Sequence, residues 1–578
     1  MDRREVARIL EEIAAMLELK GENPFKVRAY ENGARAVLAF GGDLDEAVRT
    51  GELRNVRGIG AGLFSNIRTL VETGALPYHA ELRAAFPPGL RECLRIPGFG
   101  ARKAKQLYQA IGIDSLASLE RACRDGTVAA VKGFGPRSAE KILKSIAVMR
   151  ASAGYHHYHR ARARAEDAVA ALRGLADRLE IAGSLRRRLE VIRDIDLVAT
   201  ARKPAAVAGA FKALPGVTEV LADGPTKVSV RFHDGLSADL RIVDPEDLPA
   251  ALLYFTGSKE HNTALRGRAR RKGLKLNEYG LYSESGDRRI PCAREADIYR
   301  ALGLGYIEPE LREGRGEIEA AERGDLPRLV QDSDLRGLIH VHTTESDGRH
   351  SVEEMVAAMR TSGYSYAAIT DHSETASYAG GLTPARVRAQ REAIRSLRRR
   401  VPGFRIFHGT EADILADGSI DFGDEFLPIF DVVVASVHSR FGLSREEQTE
   451  RLVRAVRNPL VSVLGHPTGR LLLSREPIAV DAEAVIDAAA ESGCAIEMNC
   501  NPHRLELDWR LGRRAVERGV LISIDPDAHS IRELELVPYG VGIARKGWVT
   551  PEATLNARSA EELERWLTAR RGVPLAAP

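Results

Sequence analysis

The sequence predicts a multidomain chain of α and α/β class: a helical front, a mixed α/β middle and a C-terminal half of repeated βα units. Three observations predict this. A G-apolar-G element recurs three times in the first 150 residues, with helical sequence between the copies. From about residue 167, runs such as LEIAGSLRR, RDIDLVAT, TKVSVRF and LSADLRIV alternate strand and helix patterns. From residue 335, the runs LIHVH, YAAIT, FRIFHGTEADI, DVVVASVH, PLVSVLGHP, CAIEMN and VLISIDPDAH alternate with helical stretches and end in polar residues, the habit of α/β barrels. At 578 residues the chain exceeds the ~250–300 at which single cores split, so three to five domains are expected.

Charge is uneven. Residues 1–334 carry 54 Lys and Arg against 47 Asp and Glu, while residues 335–578 carry 30 against 34, so a polyanion is expected to meet the front. Cys93, Cys123, Cys292, Cys494 and Cys500 are scattered and form no C-x-x-C pair, as expected of reduced thiols in a cytoplasmic protein. MDRREVARILEEIAAMLELKG reads as a charged amphipathic helix and not as a signal peptide. No run approaches the ~18–20 apolar residues that span a membrane.

The front is justified by its repeats: VRGIGAGLFSNI (56–67), IPGFGARKAKQL (96–107) and VKGFGPRSAEKI (131–142). Each places an apolar residue and a spacer before G-apolar-G and a helix, which is the helix-hairpin-helix pattern. The glycines Gly58, Gly60, Gly98, Gly100, Gly133 and Gly135 let the turn approach another backbone, and the amides opening the second helix point outward to hold a phosphate. Arg102, Lys103 and Lys105 follow one copy, and Arg137, Lys141 and Lys144 another. A single such turn is often only a helix C-cap. Three copies in register favour sequence-independent contact with a nucleic-acid backbone. The tract GYHHYHRARARA (154–165) reads as a connection or the start of a helix, and its histidines His156, His157 and His159 as solvated and phosphate-facing rather than metal-binding, since no acidic partner lies nearby in sequence.

In the middle, Asp194 and Asp196 lie two apart on a strand and share a face. Asp239 belongs to a later strand of the same unit. Three convergent carboxylates are what two Mg²⁺ ions need for in-line phosphoryl transfer, although the D-x-D alone equally fits solvated strand-end carboxylates. The Gly-Ser turn and arginines of GSLRRR (183–188) supply a triphosphate cradle. With GSLRR, DIDLV, SADLR, YFTGSKEHN (254–262) and LKLNEYGLY (274–282), residues 1 to about 315 resemble the family X DNA polymerases of the nucleotidyltransferase superfamily.

The resemblance implies an N-terminal helical DNA-binding domain at 1–75, fingers at 76–150, a nucleotidyltransferase palm at 151–246, a thumb at 247–315 and a linker at 316–334. It implies that Asp194, Asp196 and Asp239 hold two Mg²⁺ or Mn²⁺ ions. Gly183, Ser184 and Arg187 would meet the triphosphate, and Tyr254, Phe255 and Gly257 the sugar. Asn262 would touch the base edge and Arg266 the template side. Arg193 stands before Asp194 where the family usually has Gly, which changes how the backbone approaches the phosphates. The family's lyase lysine aligns with Asn66, and Gly62 replaces another basic residue, so no lyase of that type is expected.

The C-terminal half holds nine of the 15 histidines. His340 and His342 (IHVHTTESDG), His372, His438, His466 and His529 each follow an apolar strand-like run, joined by Asp347, Glu411 and Asp527. H-x-H puts two imidazoles on one strand face, able to share one ion. A lone histidine here would more often be a core residue. Six at matching strand ends with three carboxylates read as a metal centre. Asp525 could compete as a ligand, and Asn499, Asn501 and His503 (MNCNPHR) read either as substrate contacts or as loop caps.

The pattern resembles the PHP (polymerase and histidinol phosphatase) domain, which implies a seven-stranded α/β barrel over 335–578. It implies up to three Mn²⁺, Zn²⁺ or Fe ions. One would be held by His340, His342, Glu411 and Asp527, a second by Glu411, His438 and His466, and a third by Asp347, His372 and His529. The two resemblances together imply a gap-filling DNA repair polymerase with a metal-dependent 3′→5′ exonuclease, with nicking at abasic sites and 3′-end processing as further activities. Gapped or nicked double-stranded DNA and dNTPs would be its partners, in a cytoplasmic, nucleoid-associated monomer. The competing reading is a DNA-end binding scaffold with a weak polymerase and a PHP phosphomonoesterase.

Overall fold

The computed structural model describes residues 3–40, 44–94, 96, 99–285 and 288–572. The chain divides into two compact units, Met1–Ala153 and Gly154–Pro578.

The regular elements among the described residues of the first unit are all helices. Helix Arg3–Lys20 is the amphipathic N-terminal segment, and it buries Val6, Leu10, Ile13 and Leu17. Two cores form: one from residues 6–82, the other from Leu19 and residues 90–146. The three G-apolar-G elements sit where expected. Gly60, Gly100 and Gly135 are the N-caps of helices Ala61–Thr73, Ala101–Ile111 and Pro136–Ala151. Gly58 and Gly133 adopt φ of +100° and +89°, a left-handed region that favours glycine. Gly98 lies outside the described residues. Ile59 and Phe99, between the glycines, are buried. Each apolar residue thus anchors its turn, while Gly60 and Gly100 stay exposed at a helix start.

The second unit begins with a five-stranded sheet in the order Arg178–Ile181, Asp194–Thr200, Ser237–Ile242, Lys227–Phe232, Val217–Asp223. Strands Asp194–Thr200 and Ser237–Ile242 run parallel with Asp196 opposite Asp239. Helices Leu248–Thr256, Lys259–Arg271 and Glu295–Ala301 and a small antiparallel sheet follow. In the segment expected to link the halves, helix Glu317–Arg323 packs Ile318, Ala320 and Ala321 into the same core as Leu253, Leu265 and Ile298.

Residues 337–525 hold a seven-stranded parallel sheet whose strands follow chain order: 337–338, 366–369, 405–413, 432–436, 463–464, 495–499 and 522–525. Val341 bridges Ala528, and His342 N donates to Ala528 O at 2.9 Å, so the last strand meets the first and the barrel nearly closes. Its strands are apolar on both faces, as a parallel sheet covered by helices requires. One side packs Met355, Ile394, Leu452 and Val485 of the surrounding helices. The other packs Tyr366, Phe407 and Val434 on Leu563 and Leu567 of helix Ala560–Arg571. No described helix is long and apolar enough to cross a membrane.

The tract at 154–165 opens helix Tyr158–Leu172, one of its two expected forms, but its histidines are not solvated as expected. His156 and His157 pair with Ile192 and Val191, and His157 stacks edge-on against His503 at 4.4 Å. Burial pushes His157 down to about 4, as for an imidazole packed in a domain junction and not in a solvated phosphate-facing tract.

Candidate active sites

Gly183 opens the short turn of helix residues 183–186 with φ +64°. A Cβ there would lie 2.0 Å from Asp196 Oδ2, so only glycine admits the carboxylate. Gly183, Ser184, Arg187, Asp194, Asp196, Tyr254, Phe255, Gly257, Asn262 and Arg266 line one cleft of about 380 Å³. These are all eight residues expected at the nucleotide and two of the three aspartates. Asp239 sits beside them through its register with Asp196. Burial, with Asp194 and Asp239 alongside, pushes Asp196 up to about 7. Arg241 and Arg187 oppose this rise without cancelling it, so the cluster favours further positive charge. One ammonium approaches it: Lys227 Nζ, 2.6 Å from Asp239 Oδ2.

The arginines of the Gly-Ser turn divide their work. Arg186 donates to Glu295 Oε1 at 3.0 Å and Glu295 Oε2 at 2.5 Å, and to Thr256 Oγ1 at 2.7 Å. Arg187 donates from Nε to Glu313 Oε1 at 2.9 Å and from Nη1 to Thr256 O. Asn262 Nδ2 donates to Tyr254 O at 2.7 Å, which braces the turn carrying Tyr254 and Phe255. Arg193 turns away to Tyr155, its guanidinium 4.8 Å from the ring centre. Asn66, at the lyase position, donates to Tyr30 Oη at 2.7 Å. Lys103 and Lys141 are exposed on helices that follow the glycine turns.

The second centre forms at one end of the barrel strands. His340, His342, Glu411 and Asp527 bring one ligand atom each to within 4.8 Å of the others, as do His342, Asp347, His372 and His529, and His372, Glu411 and His438. His466 Nε2 lies 2.8 Å from Glu411 Oε1, which places Glu411 among His340, His342, His372, His438 and His466. His340 Nε2, both ring nitrogens of His342, His372 Nδ1 and Glu411 Oε2 are buried without a hydrogen-bond partner. Native proteins rarely leave such atoms unpaired, and lone pairs aimed at one another are suited to a cation between them.

The electrostatics agree. Burial opposes charge on His340, but Asp527, Glu497 and Glu411 outweigh it and raise its pKa well above the usual range. Burial acts the same way on His438 and His529, yet Glu411 and Asp413 hold the first at about 10, and Asp347 and Asp527 the second at about 9. His342 goes the other way, to about 4, through burial and the neighbouring His372 and His529. The carboxylates thus draw positive charge into the site. The donor set of imidazoles and carboxylates fits Mn²⁺, Zn²⁺ or Fe.

Several supporting residues lie outside the set expected from sequence. Glu497 accepts from His466 N at 2.5 Å and lies 2.6 Å from His340 Nδ1. Asp413 lies 2.7 Å from His438 Nδ1. Asp371 accepts from Thr343 N, Thr343 Oγ1 and Gln390 Nε2 at 2.6–2.7 Å and holds the loop after His342. The signal was available: Glu497 and Asp413 are acidic residues inside apolar strand runs. Asp525 is no ligand of the cluster in this arrangement, since its oxygens accept from Ile339 N at 2.6 Å and from Ser523 Oγ. Asn499 Nδ2 lies 3.4 Å from Asp527 Oδ2, whereas Asn501 caps His503 N.

Comparison with known proteins follows this division. The family described as helix-hairpin-helix domain matches residues 1–76, the SAM-like helix-hairpin-helix tandem matches 90–147, and the DNA polymerase beta thumb matches 251–313. A probable phosphatase of Caldanaerobacter subterraneus subsp. tengcongensis is 28% identical over 182 residues, 30% of this chain and 69% of the relative. A probable phosphatase of Acetivibrio thermocellus is 32% identical over 164 residues, 28% of this chain and 63% of the relative. The DNA polymerase/3'-5' exonuclease PolX of Bacillus subtilis is 37% identical over 576 residues, 98% of this chain and 99% of the relative. Likeness at that level across almost the whole of both proteins decides the assignment: the chain belongs to the PolX family of family X DNA polymerases with a C-terminal PHP domain.

Proposed function

We propose that the chain is a DNA-directed DNA polymerase that fills gaps during repair, and that its barrel is a metal-dependent 3′→5′ exonuclease acting on the same DNA. The single observation that carries the reading is the likeness over 98% of the chain to a DNA polymerase/3'-5' exonuclease. In this reading the DNA-binding helices occupy 1–75, the fingers 76–150, the palm 151–246, the thumb 247–315, a connection 316–334 and the PHP domain 335–578.

Asp194, Asp196 and Asp239 would hold the Mg²⁺ or Mn²⁺ ions that activate the primer 3′-OH and offset charge on the leaving pyrophosphate. Ser184 and Arg187 take the triphosphate, with the guanidinium matching phosphate geometry. Tyr254, Phe255 and the side-chain-free Gly257 pack the deoxyribose, and Asn262 and Arg266 orient the base and template. The hairpin glycines with Lys103 and Lys141 grip the DNA backbone without reading sequence.

In the barrel, His340, His342, Asp347, His372, Glu411, His438, His466, Asp527 and His529 would hold up to three ions (Mn²⁺, Zn²⁺ or Fe), which supply hydroxide at neutral pH and stabilise the leaving oxygen. Asp413 and Glu497 orient the imidazoles. Abasic-site nicking and removal of 3′ blocks are further reactions this centre suits. The substrate is gapped or nicked duplex DNA, and the protein works as a cytoplasmic monomer at the nucleoid.

The test uses a labelled primer on gapped DNA with Mn²⁺, with and without dNTPs. Extension should vanish in Asp239→Ala and shortening in His342→Ala, each leaving the other activity in place. Shortening at the wild-type rate in His342→Ala refutes the exonuclease assignment. Likeness to the probable phosphatases favours a second substrate class, so a small phosphate ester is assayed alongside. Faster turnover of the ester than of DNA ends would make the barrel a phosphomonoesterase.

A further inference from the structure

Helix Val537–Lys546 belongs to the barrel half, yet its last residue is bound to the polymerase half. Lys546 is 1% exposed. Its Nζ donates to Arg187 O at 3.0 Å and to Glu313 Oε1, and lies 3.4 Å from Glu310 O. The Trp509 ring covers it at 4.4 Å. The same Glu313 oxygen accepts from Arg187 Nε at 2.9 Å. Two cations therefore share one carboxylate, and one of them lines the nucleotide cleft.

The surroundings hold this contact in place. Glu190, just after the Gly-Ser turn, accepts from Trp509 Nε1 at 2.9 Å and from Arg510 at 2.8 Å. Arg545 donates to Glu310 at 2.7 Å. Gly542 faces Arg188 so closely that a Cβ would fall 2.9 Å from its guanidinium. An ammonium buried this fully is kept only where its partners offset the desolvation. Of its partners, Arg187 lines the cleft and Glu313 is bound directly to Arg187.

Sharing has a consequence for charge. With Lys546 in place, Glu313 is partly neutralised, and the Arg187 guanidinium keeps positive potential for an anion. Without Lys546, the carboxylate answers Arg187 alone and cancels that potential. A guanidinium held from two sides also has less rotamer freedom to lose on binding.

We infer that Lys546 of the barrel is a positioning residue for Arg187: by sharing Glu313 and holding the Arg187 carbonyl, it presets the guanidinium that meets the incoming triphosphate. The inference rests on the nucleotide reading of the cleft given above. It makes the barrel a support for the polymerase site, through the Arg187 carbonyl and Glu313, as well as a second catalytic centre.

The test measures dNTP affinity of the full chain on gapped DNA whose primer ends in a dideoxynucleotide, beside steady-state extension on a normal primer. Lys546→Met should weaken dNTP binding and raise KM about tenfold, with kcat much less changed, the size of one charge-assisted contact. Primer shortening without dNTPs should stay at the wild-type rate. Adding Glu313→Gln to Lys546→Met removes the unbalanced carboxylate and should recover most of the affinity, which a merely structural role would not produce. Where the Met variant is recovered unfolded, Lys546→Gln, which keeps one donor in the slot, carries the same comparison. Affinity within about twofold of wild type in the single variant, or a double variant no better than the single one, overturns the inference. A wild-type chain that binds no dNTP at the gap overturns the nucleotide reading of the cleft, and this inference with it.

Discussion

Gly183→Ala tests the aspartate cluster without touching an aspartate. At φ +64° an alanine costs roughly 1–2 kcal/mol in the backbone. The larger effect is local. The new Cβ would stand 2.0 Å from Asp196 Oδ2 and 2.9 Å from its Cγ, against an ordinary contact of 3.4 Å or more. The carboxylate must therefore retreat by about 1.4 Å, the difference between contact and clash. Its parallel pairing with Ser237–Ile242 holds the backbone, so the side chain has to move. A misplacement near 1 Å costs on the order of 10²-fold in rate where reacting groups are prearranged. Extension of a gapped primer by Gly183→Ala should fall at least about a hundredfold while the melting temperature drops only slightly. Shortening by the barrel should be unaffected. A folded variant that extends within about threefold of wild type would refute the reasoning, because it would show that Asp196 needs no fixed place.

Two further predictions follow from buried carboxylates. Glu497→Gln removes the negative charge and one of the two oxygens that meet His340 and His466, and should weaken metal retention at the barrel by about 10–100-fold with extension intact, read by Mn²⁺ titration and bound-metal analysis. Glu295→Gln leaves Arg312, 0% exposed and 2.7 Å from that carboxylate, without its counter-charge. The cost should be about 3–5 kcal/mol, read as lost hydrogen-exchange protection around Leu302 and Ile307. Burial raises the Glu295 pKa but Arg312 and Arg186 outweigh it and hold it below the usual 4.5. The wild-type advantage over the variant is therefore full above about pH 4.5 and shrinks as pH falls through the lower folded value.

The hairpin turns, the D-x-D strand, the Gly-Ser cradle and the strand-end histidines were all legible in the sequence. Each depends on residues a few positions apart, where chain geometry alone dictates what faces what. Glycine before a helix, i and i+2 on a strand, and a ligand just past an apolar run are local statements. The tract at 154–165, with its misread histidines, shows the limit. Its polarity suggested solvent, but its partners Val191, Ile192 and His503 are distant in sequence. Glu497 and Asp413 carried a detectable signal, as charges inside apolar strands. Lys227 and Glu313 carried none, since an exposed-looking Lys or Glu is the commonest residue on any surface.

Chain order and local pattern were enough for the class of each segment and for most of the residues around both clefts. Only folding brought Lys546 to Arg187, 359 positions away, and decided which arginine of the Gly-Ser turn braces Glu295 and which faces the nucleotide cleft. The reason is physical. Local backbone geometry is encoded within a few residues, whereas the burial that shifts an aspartate or encloses a lysine, and the partner that offsets it, exist only once distant surfaces have excluded water from between them.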